Sequence, residues 1–126
     1  MSIPVAPDEL AEAMSGFDGG YLLTTSAQGR VKVVAVDPEV SGNTLVLTGP
    51  GKGSAGNVAA NPLVTVVFWP QQHHGYSLIV DGEARGDQDR IEVTATGVVL
   101  HRPASHADGP MAASDDGCGN DCQRLA

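Results

Sequence analysis

The sequence predicts a mainly β protein, a six-stranded antiparallel barrel, closed or partly closed, with two short helices. Short apolar and β-branched runs alternate with clusters of Gly, Pro, Asn, Asp and Ser along most of the chain, and only two segments have helical features. The 126 residues, 41% of them hydrophobic, suffice for one domain with a proper core but not for two.

The first predicted helix is a turn and a half that opens at Pro7 and ends at Gly16. Proline suits the first position of a helix, and the two acidic residues that follow it suit the positive end of the helix dipole. Leu10, Ala13 and Met14 then share one apolar face, which predicts an amphipathic helix that packs on the core.

Six runs of residues have the composition of strands. The first two are separated by the turn at residues 26–29 and predict a hairpin. Asp81-Gly82 interrupts the fifth run, but the residues after it are too few and too polar for a partner strand, so we interpret Gly82 as a β-bulge within one long strand. The predicted strands span residues 21–25, 31–36, 45–48, 64–69, 76–84 and 91–100.

The third strand leads into a glycine-rich loop and the second predicted helix. Four glycines within eight residues allow the backbone to approach a ligand closely. We expect Ser54 to be the N-cap of a helix of barely two turns that ends before Pro62. The loop, Lys52, Ser54 and the helix N-terminus describe an anion site, best suited to a phosphate, and the alternative is a flexible connector. The pattern is neither a Walker loop nor a Rossmann fingerprint.

Charge and hydropathy exclude several classes of partner. A net charge of -8 with seven Lys and Arg residues argues against a nucleic-acid partner, which would require a basic face. No stretch approaches twenty apolar residues, and no basic segment followed by an apolar run stands at the N-terminus, so we expect no membrane span and no signal peptide. A cytoplasmic protein is therefore expected.

The composition changes at residue 102, which divides the chain into a domain of residues 1–101 and a polar tail of residues 102–126. The tail has too few apolar residues to fold alone. Its Cys118 and Cys122, even with His101 and His106 upstream, do not have the number and spacing of zinc ligands, so no metal site is expected. A reversible disulfide and two free thiols are the remaining interpretations of the cysteine pair.

Three segments resemble, in order and spacing, the pyridoxamine phosphate oxidase-like family of split-barrel flavin proteins. They are RVKVVAVD, NTLVLTGPGKGSAGNVAANPLVTVVFW and YSLIVDGEARGD, and the resemblance covers about residues 21–100. It implies an FMN-binding split barrel that forms a homodimer and binds FMN, or a deazaflavin coenzyme in actinobacterial branches, at the subunit interface.

The function implied by this resemblance is that of an FMN-dependent oxidoreductase with a small-molecule substrate. The alternatives are a deazaflavin-dependent reductase and a split-barrel module without turnover, with or without a cofactor. The family oxidase's C-terminal substrate-binding segment has no counterpart here, which argues against pyridoxamine phosphate oxidase activity itself.

The resemblance also assigns cofactor-binding positions. The family's phosphate-binding Ser-Arg-Lys falls on Lys52, Gly53 and Ser54, which leaves one cation in that motif. Trp69 either stacks on the flavin or packs in the dimer core. No catalytic residue is named, because a flavin itself carries the redox chemistry. The assigned positions are Lys32, Val33, Val34, Thr48, Lys52, Gly53, Ser54, Asn57, Trp69 and Ser77.

Overall fold

The computed structural model describes residues 1–103, in which one antiparallel sheet curls into a half-barrel. The strands follow the order β3-β2-β6-β7-β8-β5-β4, and β1 pairs with β8 beside β5. The strands are β1 Ser2–Val5, β2 Gly20–Thr25, β3 Val31–Val36, β4 Glu39–Ser41, β5 Thr44–Thr48, β6 Leu63–Phe68, β7 Ser77–Gly86 and β8 Arg90–His101.

The six predicted strands are all present, and two more are added. The additional strands, β1 and β4, are short edge strands: β4 ends the strand order, and β1 pairs only with β8. The β2–β3 hairpin is confirmed, with Ser26 and Arg30 joined by a backbone hydrogen bond across the turn. The main prediction of an antiparallel half-open barrel with two short helices is therefore confirmed.

The bulge predicted at Gly82 is also confirmed. The register of β7 against β8 shifts between Asp81 and Gly82, while β7 continues unbroken to Gly86. A Cβ on Gly82 would lie 2.5 Å from the backbone oxygen of Thr94 and 2.6 Å from Cγ1 of Val93. Only glycine therefore fits at this point of close approach.

The inner face of the sheet encloses one hydrophobic core. Leu22, Val66, Leu78 and Val93 are fully buried contributions from four neighbouring strands. A single 3₁₀ turn, Pro7–Glu9, leads into helix α1, Leu10–Met14, whose Leu10 is fully buried. The predicted amphipathic helix is thus present, and helix α2, Lys52–Ala60, packs on β2 and β7.

No helix within residues 1–103 is long and apolar enough to cross a membrane. The predictions for His106, Cys118 and Cys122 lie outside the described residues, and so does all but the first part of the predicted tail.

Candidate functional site

The loop between β5 and α2 is held by the β7–β8 turn. Gly49 and Gly51 have φ of 66° and 95°, which glycine adopts without strain. The Gly49 N–H donates to the Asp89 backbone oxygen at 2.8 Å, and the Gly51 N–H donates to the Gln88 oxygen at 3.3 Å. These amides are therefore engaged, and the N–H groups left for an anion are those of the first turn of α2.

The prediction that Ser54 is an N-cap is wrong. Helix α2 begins at Lys52 with Gly51 as its N-cap, so Ser54 lies within the first turn, where it is fully buried. Its hydroxyl has no hydrogen-bond partner among the described residues. The helix starts earlier than predicted because Lys52 and Gly53, which we assigned to the loop, take helical geometry.

We expect Ser54→Ala to leave the free energy of unfolding unchanged within about 0.5 kcal/mol or to raise it slightly. Removing a buried hydroxyl without a partner removes a desolvation cost and no hydrogen bond. A capping serine would instead lose about 1 kcal/mol. Urea denaturation followed by circular dichroism measures the difference, and a loss of about 1 kcal/mol or more would show that the hydroxyl has a stabilising partner.

Lys32 lies across the first turn of α2. A Cβ on Gly53 would stand 2.8 Å from Lys32 Cε and 3.3 Å from its Nζ, so the absence of a side chain at Gly53 makes room for this lysine. Lys32 extends from β3 on the side of the sheet that bears α2, because its cross-strand partner Thr24 is buried beneath the helix. Lys32 and Lys52 are the only lysines in the sequence. Both therefore lie at the start of one helix.

The two flanks of this helix start differ in charge. One flank is a cleft of about 500 Å³ lined by Lys52 and by the β7–β8 turn with Asp87 and Asp89. The other flank is the side of Lys32. Because two carboxylates would repel an anion in the cleft, the favourable place for a phosphate is on the Lys32 flank.

The arginines that follow this turn are engaged elsewhere. Arg90 and Arg85 form ion pairs with Glu92 at 2.9 Å and 3.4 Å. The hydrogen bond from Arg90, with a smaller contribution from Arg85, holds the pKa of Glu92 below its usual value. Among residues 1–103, the cations that contacts place at the first turn of α2 are Lys32 and Lys52.

Asn57 anchors the helix. Its Nδ2 donates a hydrogen bond of 3.0 Å to the buried Oγ1 of Thr24 on β2. This bond fixes the second turn of α2 against the sheet, and with it the position of the helix N-terminus relative to Lys32. The structure thus gives Asn57 a positioning contact.

The sheet's outer face, which points away from the core, has an exposed apolar patch that we call the outer patch. Trp69 follows β6 and packs on Tyr21, with ring centroids 5.1 Å apart. Val33, one residue from Lys32 but on the opposite face of β3, is 54% exposed. The outer patch consists of Tyr21, Val31, Val33, Leu63 and Trp69.

The remaining assigned positions are dispersed. Val34 is half-buried on the inner face opposite Leu22, and Thr48 is exposed at the end of β5. Ser77 opens β7 opposite His101, at the other end of the strands from Lys32, roughly 15 Å away along the strand direction. Within one chain, the assigned residues that the structure brings together are Lys32, Lys52, Gly53, Ser54 and Asn57.

The sequence reasoning missed the contact between Lys32 and Gly53. The resemblance assigns Lys32 and Gly53 to cofactor-binding positions, with Gly53 in the phosphate-binding motif, but it makes no connection between the two residues. The contact could have been approached through the alternation of side chains along a strand. This alternation places Lys32 on the opposite face of β3 from Val31 and Val33, which is the face that bears the helix.

Comparisons with known proteins give two relatives of similar length. The chain is 34% identical over 129 residues to the uncharacterized protein Mb0449c of Mycobacterium bovis, covering 90% of this chain and 89% of that protein. The uncharacterized protein MT0457 of Mycobacterium tuberculosis matches to the same extent. No protein-family model matches the chain.

Solved structures share the fold at low sequence identity. A candidate pyridoxamine 5'-phosphate oxidase from Listeria innocua superposes with a TM-score of 0.63 at 14% identity, over 76% of this chain and 98% of that one. An FAD-binding protein from Mycobacterium smegmatis gives 0.56 at 19% identity, over 81% and 100%. A protein named as an F420 reductase gives 0.50 at 19% identity, over 71% and 93%.

Proposed function

Because the chain belongs to the family of the mycobacterial proteins Mb0449c and MT0457 and has the split-barrel fold of pyridoxamine 5'-phosphate oxidase-like proteins, we propose that it binds a flavin-type cofactor through a phosphate at the start of α2. The observation that carries this proposal is the convergence of Lys32 and Lys52. In a chain with a net charge of -8, both lysines lie at one helix N-terminus, where an anion is favoured.

The residues present fit a phosphate group. The N–H groups at the start of α2 donate toward it, the ammonium groups of Lys32 and Lys52 supply charge, and the missing side chain of Gly53 keeps the approach open. FMN is the cofactor proposed, with the deazaflavin coenzyme F420 as the alternative, since both contain a phosphate and a flat ring. The fold neighbours named for FAD and F420 support this class of ligand.

The outer patch supports a homodimer. Val33 and Leu63 are 54% and 62% exposed, and exposed apolar groups of this size on one sheet face are typical of protein interfaces. A second copy would cover the patch and bury these apolar side chains. Interfaces of this obligate kind commonly bury upward of roughly 2,000 Å².

The proposed activity is that of an oxidoreductase. A bound flavin supplies the electron transfer chemistry, and the residues of the site bind it, orient it and limit access of water. Lys32 and Lys52 fix the phosphate, and Asn57 fixes the helix that carries the donors. The substrate is proposed to be a small molecule.

The test is a titration of cofactor-free protein with FMN, FAD and F420 in turn, followed by cofactor fluorescence anisotropy, with the mass measured by light scattering. We expect saturable binding of at least one of them to a particle of twice the chain mass. Absence of binding by all three would overturn the cofactor proposal, and a monomer mass at micromolar concentration would overturn the dimer.

A further inference from the structure

The outer face of the sheet has both a projecting group and a groove. The projecting group is the aromatic pair of Tyr21 and Trp69, which are 43% and 38% exposed. The groove has a volume of about 390 Å³ and lies across β2, β6 and β7, with Leu23, Leu63 and Asp81 among its walls. Because a cavity of about 150 Å³ already holds a benzene ring, the groove has room for an aromatic side chain.

Each of these two features contains a polar group with unused hydrogen-bonding capacity. In the groove, Asp81 Oδ1 accepts a hydrogen bond of 2.6 Å from Thr65 Oγ1, and a carboxylate can accept several more. The ion pairs within residues 1–103 all involve Glu92, so none of them engages Asp81. In the aromatic pair, the Trp69 indole N–H has no acceptor in the part of the chain that the structure describes. One feature therefore offers a donor and the other an acceptor.

The strand register relates the two features by a two-fold axis. Tyr21 on β2 and Val67 on β6 are cross-strand partners and form part of an apolar row on the outer face. Along β6, Trp69 lies two positions after this row, whereas Thr65, the cross-strand partner of Asp81, lies two positions before it. When two copies pack face to face with a two-fold axis along the row, Trp69 of one copy therefore lies over Thr65 and Asp81 of the other.

The inference rests on the homodimer proposed above and specifies its interface. We propose that Trp69 of each copy inserts into the groove of the other and donates its indole N–H to Asp81 of the partner subunit. A two-fold interface must be self-complementary, and this face contains both the projecting ring and the groove that receives it. The donor also offsets the cost of covering the Asp81 carboxylate with apolar groups.

The first test uses Trp69 as its own probe, since it is the only tryptophan in the sequence. The cofactor-free full chain is diluted from micromolar to nanomolar concentration, with the mass measured by sedimentation and the tryptophan emission recorded at each step. We expect the emission to shift to longer wavelength as the dimer dissociates, because the indole then leaves the groove and enters water.

The second test is a double-mutant cycle on the dimer dissociation constant. Trp69→Phe keeps an aromatic ring and removes the donor, so it should weaken the wild-type dimer by about ten- to a hundredfold, since two such contacts are lost per dimer. In the Asp81→Ala background the same change should have less than about a threefold effect, because the acceptor is already absent. Circular dichroism checks that each variant is folded.

The matched control is Glu83→Ala, which removes a carboxylate two residues along the same strand and outside the groove lining. In that background, Trp69→Phe should keep its full effect on the dimer.

Two results would overturn this interface while leaving the homodimer in place. One is a dimer whose tryptophan emission does not change on dissociation, and the other is an equal effect of Trp69→Phe in the wild-type and Asp81→Ala backgrounds. A monomer mass up to micromolar concentration would instead overturn the homodimer and the interface together. The cofactor titrations are judged separately, because they report on the site at the start of α2.

Discussion

Gly82→Ala is expected to lower the free energy of unfolding by about 3 kcal/mol, near the upper end of what overpacking costs. The added Cβ would meet the Thr94 backbone oxygen at 2.5 Å and Cγ1 of Val93 at 2.6 Å. Overpacking of this kind costs about 1–3 kcal/mol, and here one of the two obstacles is backbone of the adjacent central strand, which cannot rotate away. Urea denaturation at fixed pH measures the loss.

The matched control is Gly97→Ala. Gly97 pairs with Asp81 at the same bulge, but a Cβ there would meet nothing within 4 Å. We expect its effect to stay within about 0.5 kcal/mol, because the added methyl encounters no obstacle and the unfolded chain loses some freedom. Equal losses in the two variants would mean that the bulge needs glycine flexibility on both strands and that the close contact at Gly82 is not the cause.

Removing the two lysine charges should give the largest effect on cofactor binding. A charge-assisted hydrogen bond contributes about 1.5–3 kcal/mol, so Lys32→Gln and Lys52→Gln should each weaken FMN binding by roughly ten- to a hundredfold. We expect Lys32→Gln to be at least as damaging, because Asp87 and Asp89 already offset the field of Lys52 on its flank.

The control for charge alone is Arg30→Gln. Arg30 is an exposed cation in the β2–β3 turn, two residues before Lys32, and its backbone bonds to Ser26 within that turn. It should change FMN affinity less than about threefold, through the long-range field only, and even less at high salt. If Arg30→Gln and Lys32→Gln weakened binding equally, the phosphate would not contact Lys32, and the assignment of the site would fail.

The fold could be predicted because its strands follow the standard rules of turn chemistry and apolar runs. The bulge at Gly82 was predictable, since a glycine inside a long apolar run commonly marks a bulge or a close approach of two backbones. Strands β1 and β4 were not predicted, for two different reasons. Pro4 argues against a strand in Ser2–Val5, although an edge position tolerates proline, and Glu39–Ser41 is too short to have a pattern.

The site could be predicted only in part. The glycine-rich loop and the helix after it were predicted from local sequence, but the N-cap was placed at Ser54, three residues after the observed Gly51, because Gly53 has low helix propensity. The pairing of Lys32 with Gly53 joins positions that are distant in sequence. Rules based on local sequence cannot predict this contact, because it depends on how β3 is placed relative to α2.

Strand β3 ends the sheet, and this edge position gives Lys32 a second role. An edge strand offers a row of unpaired backbone N–H and C=O groups to other molecules, and a flat apolar edge leads to aggregation. Val31 and Val33 make this edge apolar on one side, and Lys32 is the charge between them. A hydrophobic replacement of Lys32 would therefore promote edge-to-edge association, so loss of solubility could be mistaken for loss of cofactor affinity. Glutamine keeps the position polar, which separates the two effects.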